Sequence, residues 1–150
     1  MTDKAVDIPL VSVVIPMYQA EAWIADTLAS VAAQTHPRVE TIVVDDGSSD
    51  RGADLVSVFC GSAERSVRLF RTTNNGVAAA RNLGIAESNG VYVALLDADD
   101  LWHPTKLESQ VAQLERSGSP MCVCGYEFFD DRTRRRIGVV RVDDGSLALR

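Results

Sequence analysis

The sequence predicts an α/β domain with a mainly parallel central sheet. Short β-rich runs alternate with stretches of helical periodicity through most of the chain, the pattern of parallel strands joined by crossover helices. Three of those runs end in chemically loaded loops: Pro16-Met17-Tyr18, Asp45-Asp46-Gly47-Ser48 and Asp97-Ala98-Asp99-Asp100. Ligands of open parallel sheets collect outside the carboxyl ends of the strands, so that coincidence marks one end of the sheet as a site. The third observation is the run Val91-Tyr-Val-Ala-Leu-Leu96, which reads as a strand buried on both faces and leads into three carboxylates within four positions. Carboxylates this close repel one another unless a cation or a ring of donors neutralises them.

Each element follows from local pattern. Val11 to Ile15 is β-rich and is stopped by Pro16. A helix over about Glu21 to Gln34 places Ile24, Leu28 and Val31 on one face. Thr41 to Val44 is a second strand, and a helix from Asp50 to Cys60 is expected to turn Leu55, Val58 and Phe59 toward the sheet. Val67 to Phe70 is a third strand. Asn74-Asn75-Gly76 is a turn before an Ala-rich helix, Val77 to Glu87, that carries Arg81 and Asn82. After the acidic loop, Pro104 sits early in a helix reaching Arg116, with Leu107, Val111 and Leu114 on one face and Gly118 at its end. Met121 to Phe129 and Ile137 to Val142 are further strands. No repeats or low-complexity tracts interrupt this series.

The 150 residues suit one domain with a real core, spanning 1–150. A net charge of −6 without a long basic run argues against a nucleic-acid surface. Arg134-Arg135-Arg136 reads as a solvated face. No apolar stretch approaches the roughly 20 residues of a membrane span, and Met1 to Ala5 lacks the apolar core of a signal peptide. Cys60, Cys122 and Cys124 lie in apolar segments and read as buried reduced thiols, with Cys122 and Cys124 on one face of a strand. The expected location is the cytoplasm, including the inner face of a membrane.

Asp97, Asp99 and Asp100 offer hard oxygen ligands suited to Mg²⁺ or Mn²⁺, which keep waters and hold substrate phosphates. His36 and His103 show no ligand spacing with the cysteines, which argues against zinc. Asp45 and Asp46 suit hydrogen bonds from a base N–H or a ribose hydroxyl; the alternative is a plain strand-to-helix turn capped by Ser48, Ser49 or Asp50. Tyr18 covers a base or packs locally; Arg81 meets a diphosphate or forms a surface ion pair. Competing folds fail by residue. An EF-hand loop counted from Asp97 would need glycine where Trp102 stands. The glycine-rich dinucleotide fingerprint and the phosphate-binding P-loop are both absent.

Five segments in order carry a family resemblance: Val11-Ser-Val-Val-Ile-Pro-Met-Tyr18, Ser30-Val-Ala-Ala-Gln-Thr35, Ile42-Val-Val-Asp-Asp-Gly-Ser-Ser-Asp50, Asn75-Gly-Val-Ala-Ala-Ala-Arg-Asn-Leu-Gly84 and Leu95-Leu-Asp-Ala-Asp-Asp100. Together they resemble the family 2 glycosyltransferases, inverting enzymes of the GT-A fold, a Rossmann-like α/β/α sandwich. The resemblance implies a nucleoside-diphosphate sugar donor, commonly a UDP-sugar, a saccharide or lipid-linked acceptor, and a role in cell-envelope polysaccharide synthesis. It also implies that Asp97-Ala98-Asp99 is the Asp-x-Asp motif, with Asp99 the direct metal ligand, Asp97 facing ribose or metal, and Asp100 beside them. By the same resemblance Asp46, with Asp45, recognises the base; Pro16 and Tyr18 border it; and Arg81 lies near the nucleotide. Family members usually continue past this length, so the catalytic base and the acceptor region are expected beyond residue 150. Glu127, Asp130, Asp131, Asp143 and Asp144 are carboxylates within the chain, and no motif marks any of them as the base.

Overall fold

The computed structural model describes residues 7–60, 66–143 and 146–148. Met1 to Ala5, read above for a leader, and Asp144 lie outside the described residues. The chain divides into two compact units, Met1–Leu107 and Glu108–Arg150.

In the first unit β1 (Val11–Met17), α1 (Ile24–Ala32), β2 (Val39–Asp45), α2 (Gly52–Cys60), β3 (Ser66–Arg71), α3 (Val77–Ala86) and β4 (Tyr92–Leu95) alternate as the sequence predicts. The strands form one parallel sheet in the order β3-β2-β1-β4. Register sets Pro16 beside Val44 and Met17 beside Asp45, so the loops after β1 and β2 open side by side. Every residue of these two central strands is buried. On one face Val14, Ile42 and Val44 cluster with Ala80 of α3, flanked by Phe70 and Leu83. Gly84 makes that approach possible, because a Cβ there would collide with Val14 Cγ1.

Three local expectations are corrected in this unit. β4 is not buried on both faces: it stands at the edge of the sheet, and Val93 and Leu95 are 43% and 49% exposed. A continuous apolar run does not report strand order, and α3 is spent covering β1 and β2. α1 buries Ile24, Leu28 and Val31 but starts three residues after Glu21, because residues 21–23 form a turn. Glu21 is held instead by the next loop, its amide donating to Asp50 and its carboxylate accepting from the Arg51 amide. α2 buries Gly52, Ala53 and Val56; of the expected triad Leu55 and Phe59 are half-buried, and Val58 is exposed. Both triads obey helical spacing, so periodicity alone leaves the phase of a short apolar helix open.

The division between the units falls within α4 (Lys106–Ser117), where Leu107 and Val111 are buried and Leu114 is half-buried. Gly118, at φ +65, follows it and donates to Leu114 O. The second unit then forms an antiparallel sheet of β5 (Tyr126–Phe129), β6 (Arg136–Asp143) and β7 (Ser146–Ala148). The strand expected from Met121 begins only at Tyr126, where pairing with Val140 starts; Met121 and Val123 are exposed. Of the cysteines, Cys60 and Cys124 are exposed and Cys122 is half-buried, which corrects the expectation of buried thiols. Cys122 and Cys124 precede the paired strand, and Cys60 ends α2 away from its buried face. Arg134, Arg135 and Arg136 are exposed, as read. Among the described residues no helix is long and apolar enough to cross a membrane.

Candidate functional site

Two adjoining cavities open at the carboxyl ends of the strands. One, of about 190 Å³, is lined by Pro16, Met17, Tyr18, Asp46, Asn74, Gly76, Val77 and Ala80. Its neighbour, of about 360 Å³, is lined by Pro16, Tyr18, Ala20, Trp23, Val77, Arg81, Asp97, Ala98 and Asp99. Pro16, Tyr18 and Val77 belong to both, so the two form one groove with an Asp46 end and an Asp97–Asp99 end. Tyr18 is about half exposed on the shared wall.

The paired aspartates after β2 face different surroundings, since successive residues leaving a strand point to opposite sides. Asp45 is fully buried; its carboxylate accepts from the Ser48 amide at 2.9 Å and from Arg71 Nε at 3.1 Å, closing its own turn. Asp46 faces the smaller cavity. Its Oδ1 accepts from Asn75 N at 2.9 Å and Thr72 Oγ1 at 3.1 Å, and its Oδ2 accepts from Gly76 N at 2.8 Å. The Asn75 amide, against the opposing effect of burial and with the help of Gly76 and Thr72, holds the Asp46 carboxyl below its ordinary 3.8. Oδ2 keeps a lone pair for a ligand. Gly47, at φ +81, lets this loop approach the next: a Cβ there would lie 2.9 Å from Asn74 N.

Gln19, which no motif marked, ties the first loop to the second. It adopts φ 51, uncommon for a residue other than glycine. Its Oε1 accepts from the Ser49 and Asp50 amides, both at 3.1 Å, while its own amide donates to Ser48 Oγ. Asp50 caps α2 through Gly52 N at 3.0 Å, one of the three cap candidates the sequence offered.

At the other end of the groove, Arg81 on α3 donates to Asp97 Oδ1 at 2.5 Å. Asp97 and Asp99 line the larger cavity, and Asp100 does not. Partial burial, then the charges of Asp99 and Asp97, push the Asp100 carboxyl upward. Behind the acidic loop, α1 turns a polar stripe toward it: Thr27 Oγ1 donates to Ala98 O at 2.8 Å, and Ser30 Oγ accepts from Trp102 N at 3.2 Å. Gln34 donates to His103 O and accepts from Leu107 N. Trp23 and Thr27 were also unmarked, since both read as ordinary residues of an amphipathic helix.

Among the described residues no three His, Cys, Asp or Glu side chains converge as a metal cage. Mg²⁺ and Mn²⁺ do not need one, being bound through one or two carboxylates together with waters and substrate phosphates. Asp97 and Asp99, two carboxylates on one cleft beside a guanidinium, are a donor set that fits such an ion and an anionic ligand. In the second unit Glu127 pairs with Arg136 at 3.2 Å, and Asp130 accepts from the hydroxyl and amide of Thr133, both at 2.7 Å.

The sequence profile of glycosyl transferase family 2 matches residues 12–143. TuaG of Bacillus subtilis strain 168, a glycosyltransferase named for teichuronic acid biosynthesis, is 41% identical over 121 residues, covering 80% of this chain and 46% of TuaG. A glycosyltransferase of Rickettsia felis is 38% identical over 122 residues, 81% of this chain and 20% of that protein. The chain thus spans less than half the length of these curated relatives. Among solved structures, TarS 1–349 of S. aureus in complex with UDP-GlcNAc superposes with a TM-score of 0.69 at 28% identity, over 73% of this chain and 32% of that one. The mannosyltransferase PcManGT of Pyrobaculum calidifontis, in complex with GDP-Man and Mn²⁺, gives 0.68 at 29% identity over 78% and 34%.

Proposed function

The chain belongs to glycosyl transferase family 2, and from that premise we propose that it is the donor-binding part of a metal-dependent inverting glycosyltransferase. The donor is a nucleoside-diphosphate sugar, most simply a UDP-sugar. The observation that carries this reading is the continuous groove between Asp46 and the Asp97–Asp99 pair, walled by Pro16, Tyr18 and Val77. A flat base lies against Pro16 and Tyr18 with a ring N–H directed at Asp46. The diphosphate then extends toward Arg81 and the acidic pair. Asp45 contributes by holding the turn that presents Asp46.

Asp99, with Asp97, would hold Mn²⁺ or Mg²⁺, and Asp100 adds charge beside them; the bound ion supplies charge neutralisation for the leaving diphosphate. Arg81, which stands beside Asp97 on the same cleft, would donate to diphosphate oxygen. An acceptor hydroxyl, on a saccharide or a lipid-linked saccharide, attacks the anomeric carbon from the face opposite the diphosphate. The new C–O bond forms as the C–O bond to phosphate breaks, and a carboxylate on the acceptor side takes the hydroxyl proton. TuaG's name supports assigning the reaction to a cell-envelope polysaccharide, made on the cytoplasmic side of the membrane.

A second reading is a nucleotide-sugar-binding module without its own base. It is favoured by the engagement of Glu127 and Asp130 within their own hairpin. One experiment separates the two. With UDP-sugars and Mn²⁺, calorimetric binding accompanied by UDP release supports the transferase; binding without release supports the module; and failure to bind any nucleoside diphosphate sinks both. Asp99→Ala is expected to lose the Mn²⁺-dependent gain in UDP affinity while its circular dichroism spectrum stays that of the parent.

A further inference from the structure

The polar stripe of α1 is a different matter from the groove, since none of its residues lines either cavity. Thr27 is fully buried among Ile24, Leu28 and Val31 on the inner face of the helix. A buried hydroxyl is costly unless its hydrogen bond is made. Here the bond goes to Ala98 O, the carbonyl between the two carboxylates of the cleft. Ser30 follows three residues on along the same helical face, and Gln34 stands two residues past the end of α1. They take the amide of Trp102, the carbonyl of His103 and the amide of Leu107. The Thr35 amide adds a bond to Pro104 O at 2.9 Å. Three side chains and one amide therefore grip the segment from Ala98 to Leu107 at five backbone atoms.

That grip has a physical purpose. The ladder between β1 and β4 ends with Leu96 N on Val14 O, and the next three positions already carry two of the three acids. Their mutual repulsion works to splay the loop. Groups that must meet a small hard ion need their backbone held from behind, because misplacement by about 1 Å forfeits much of the interaction. We propose that Thr27, with Ser30 and Gln34, is the positioning element that sets the spacing of Asp97 and Asp99 for a divalent cation. This rests on the donor-site reading above and extends it to residues that touch neither donor nor ion.

The test uses Thr27→Val, which keeps shape and burial but removes the donor, and Thr27→Ser, which restores it. Two quantities are measured on the whole chain: amide hydrogen exchange of residues 98–103 without ligand, and UDP affinity with and without Mn²⁺. Thr27→Val is expected to raise exchange across 98–103 and to cut the Mn²⁺-dependent gain about tenfold, the scale of one buried hydrogen bond. UDP affinity without metal should be unchanged, and Thr27→Ser should recover both quantities. Ser30→Ala, a milder change, should move them the same way and decides the matter if Thr27→Val does not fold. Unchanged exchange in the loop overturns the proposal, as does an equal loss of affinity with and without metal. If the parent shows no Mn²⁺-dependent gain, the metal reading falls, and with it the role of the stripe in spacing a cation site, even where the exchange result stands.

Discussion

At Asp46, donors from Thr72, Asn75 and Gly76 converge on a carboxylate that is almost fully buried. The same side chain therefore builds the turn before α3 and presents an acceptor to the smaller cavity. Asp46→Asn keeps the volume but puts a donor where donors already point, and it is expected to cost about 1–3 kcal/mol of stability in urea unfolding at neutral pH. The sign with pH follows from the depressed carboxyl. The unfolded chain takes up its proton first, so this stabilisation is complete above the ordinary value of 3.8 and is lost as pH falls through the lower folded value. The gap in urea midpoint between parent and variant should close over that range. Glu40 shows the same sign at the opposite end of the sheet. Burial, the strongest influence, pushes its carboxyl up, but Ser12, the two Asn89 groups and Arg68 together bring it below 4.5. Nothing local marked Glu40, because its partners lie 28 and 49 residues away.

Among the elements, α3 shows how tightly the site is mounted. Gly84 brings its backbone onto Val14 of β1, while Val77, Ala80 and Arg81 of the same helix line the groove. Gly84→Ala is expected to lower stability by about 1–3 kcal/mol through overpacking. Adding Val14→Ala should recover part of that loss, a non-additivity that a thermal or urea double-mutant cycle reads directly. α1 was legible in its apolar face, Ile24, Leu28 and Val31, and illegible in its polar one. Thr27, Ser30 and Gln34 obey helical spacing as well as any solvated stripe does; only the packing of the acidic loop against them brings their long-range partners, Ala98, Trp102, His103 and Leu107. The phase of α2 was legible only in part for a related reason: Val58 looks as apolar as Leu55 and Phe59, yet it is exposed while they are half-buried.

For the molecule as a whole, ligand binding to the native state should appear as added stability. UDP with Mn²⁺ at a hundredfold excess over its Kd is expected to contribute about 2.7 kcal/mol, seen as a concentration-dependent rise in melting temperature. In Asp99→Ala the rise should fall to that given by UDP without metal. The alternation of strands and helices, the parallel sheet class and the loops that meet at one end were all determined by the sequence itself. Periodicity, turn residues and an acid cluster after an apolar run are local signals, and local signals suffice for those features. The tertiary structure alone decided that β4 is an edge strand, that Asp46 rather than Asp45 faces the cavity, and that Thr27 reaches Ala98. Each of these depends on which distant segment becomes a neighbour. A residue's own pattern carries its period, but the partner across the gap sets which side of that period meets the site.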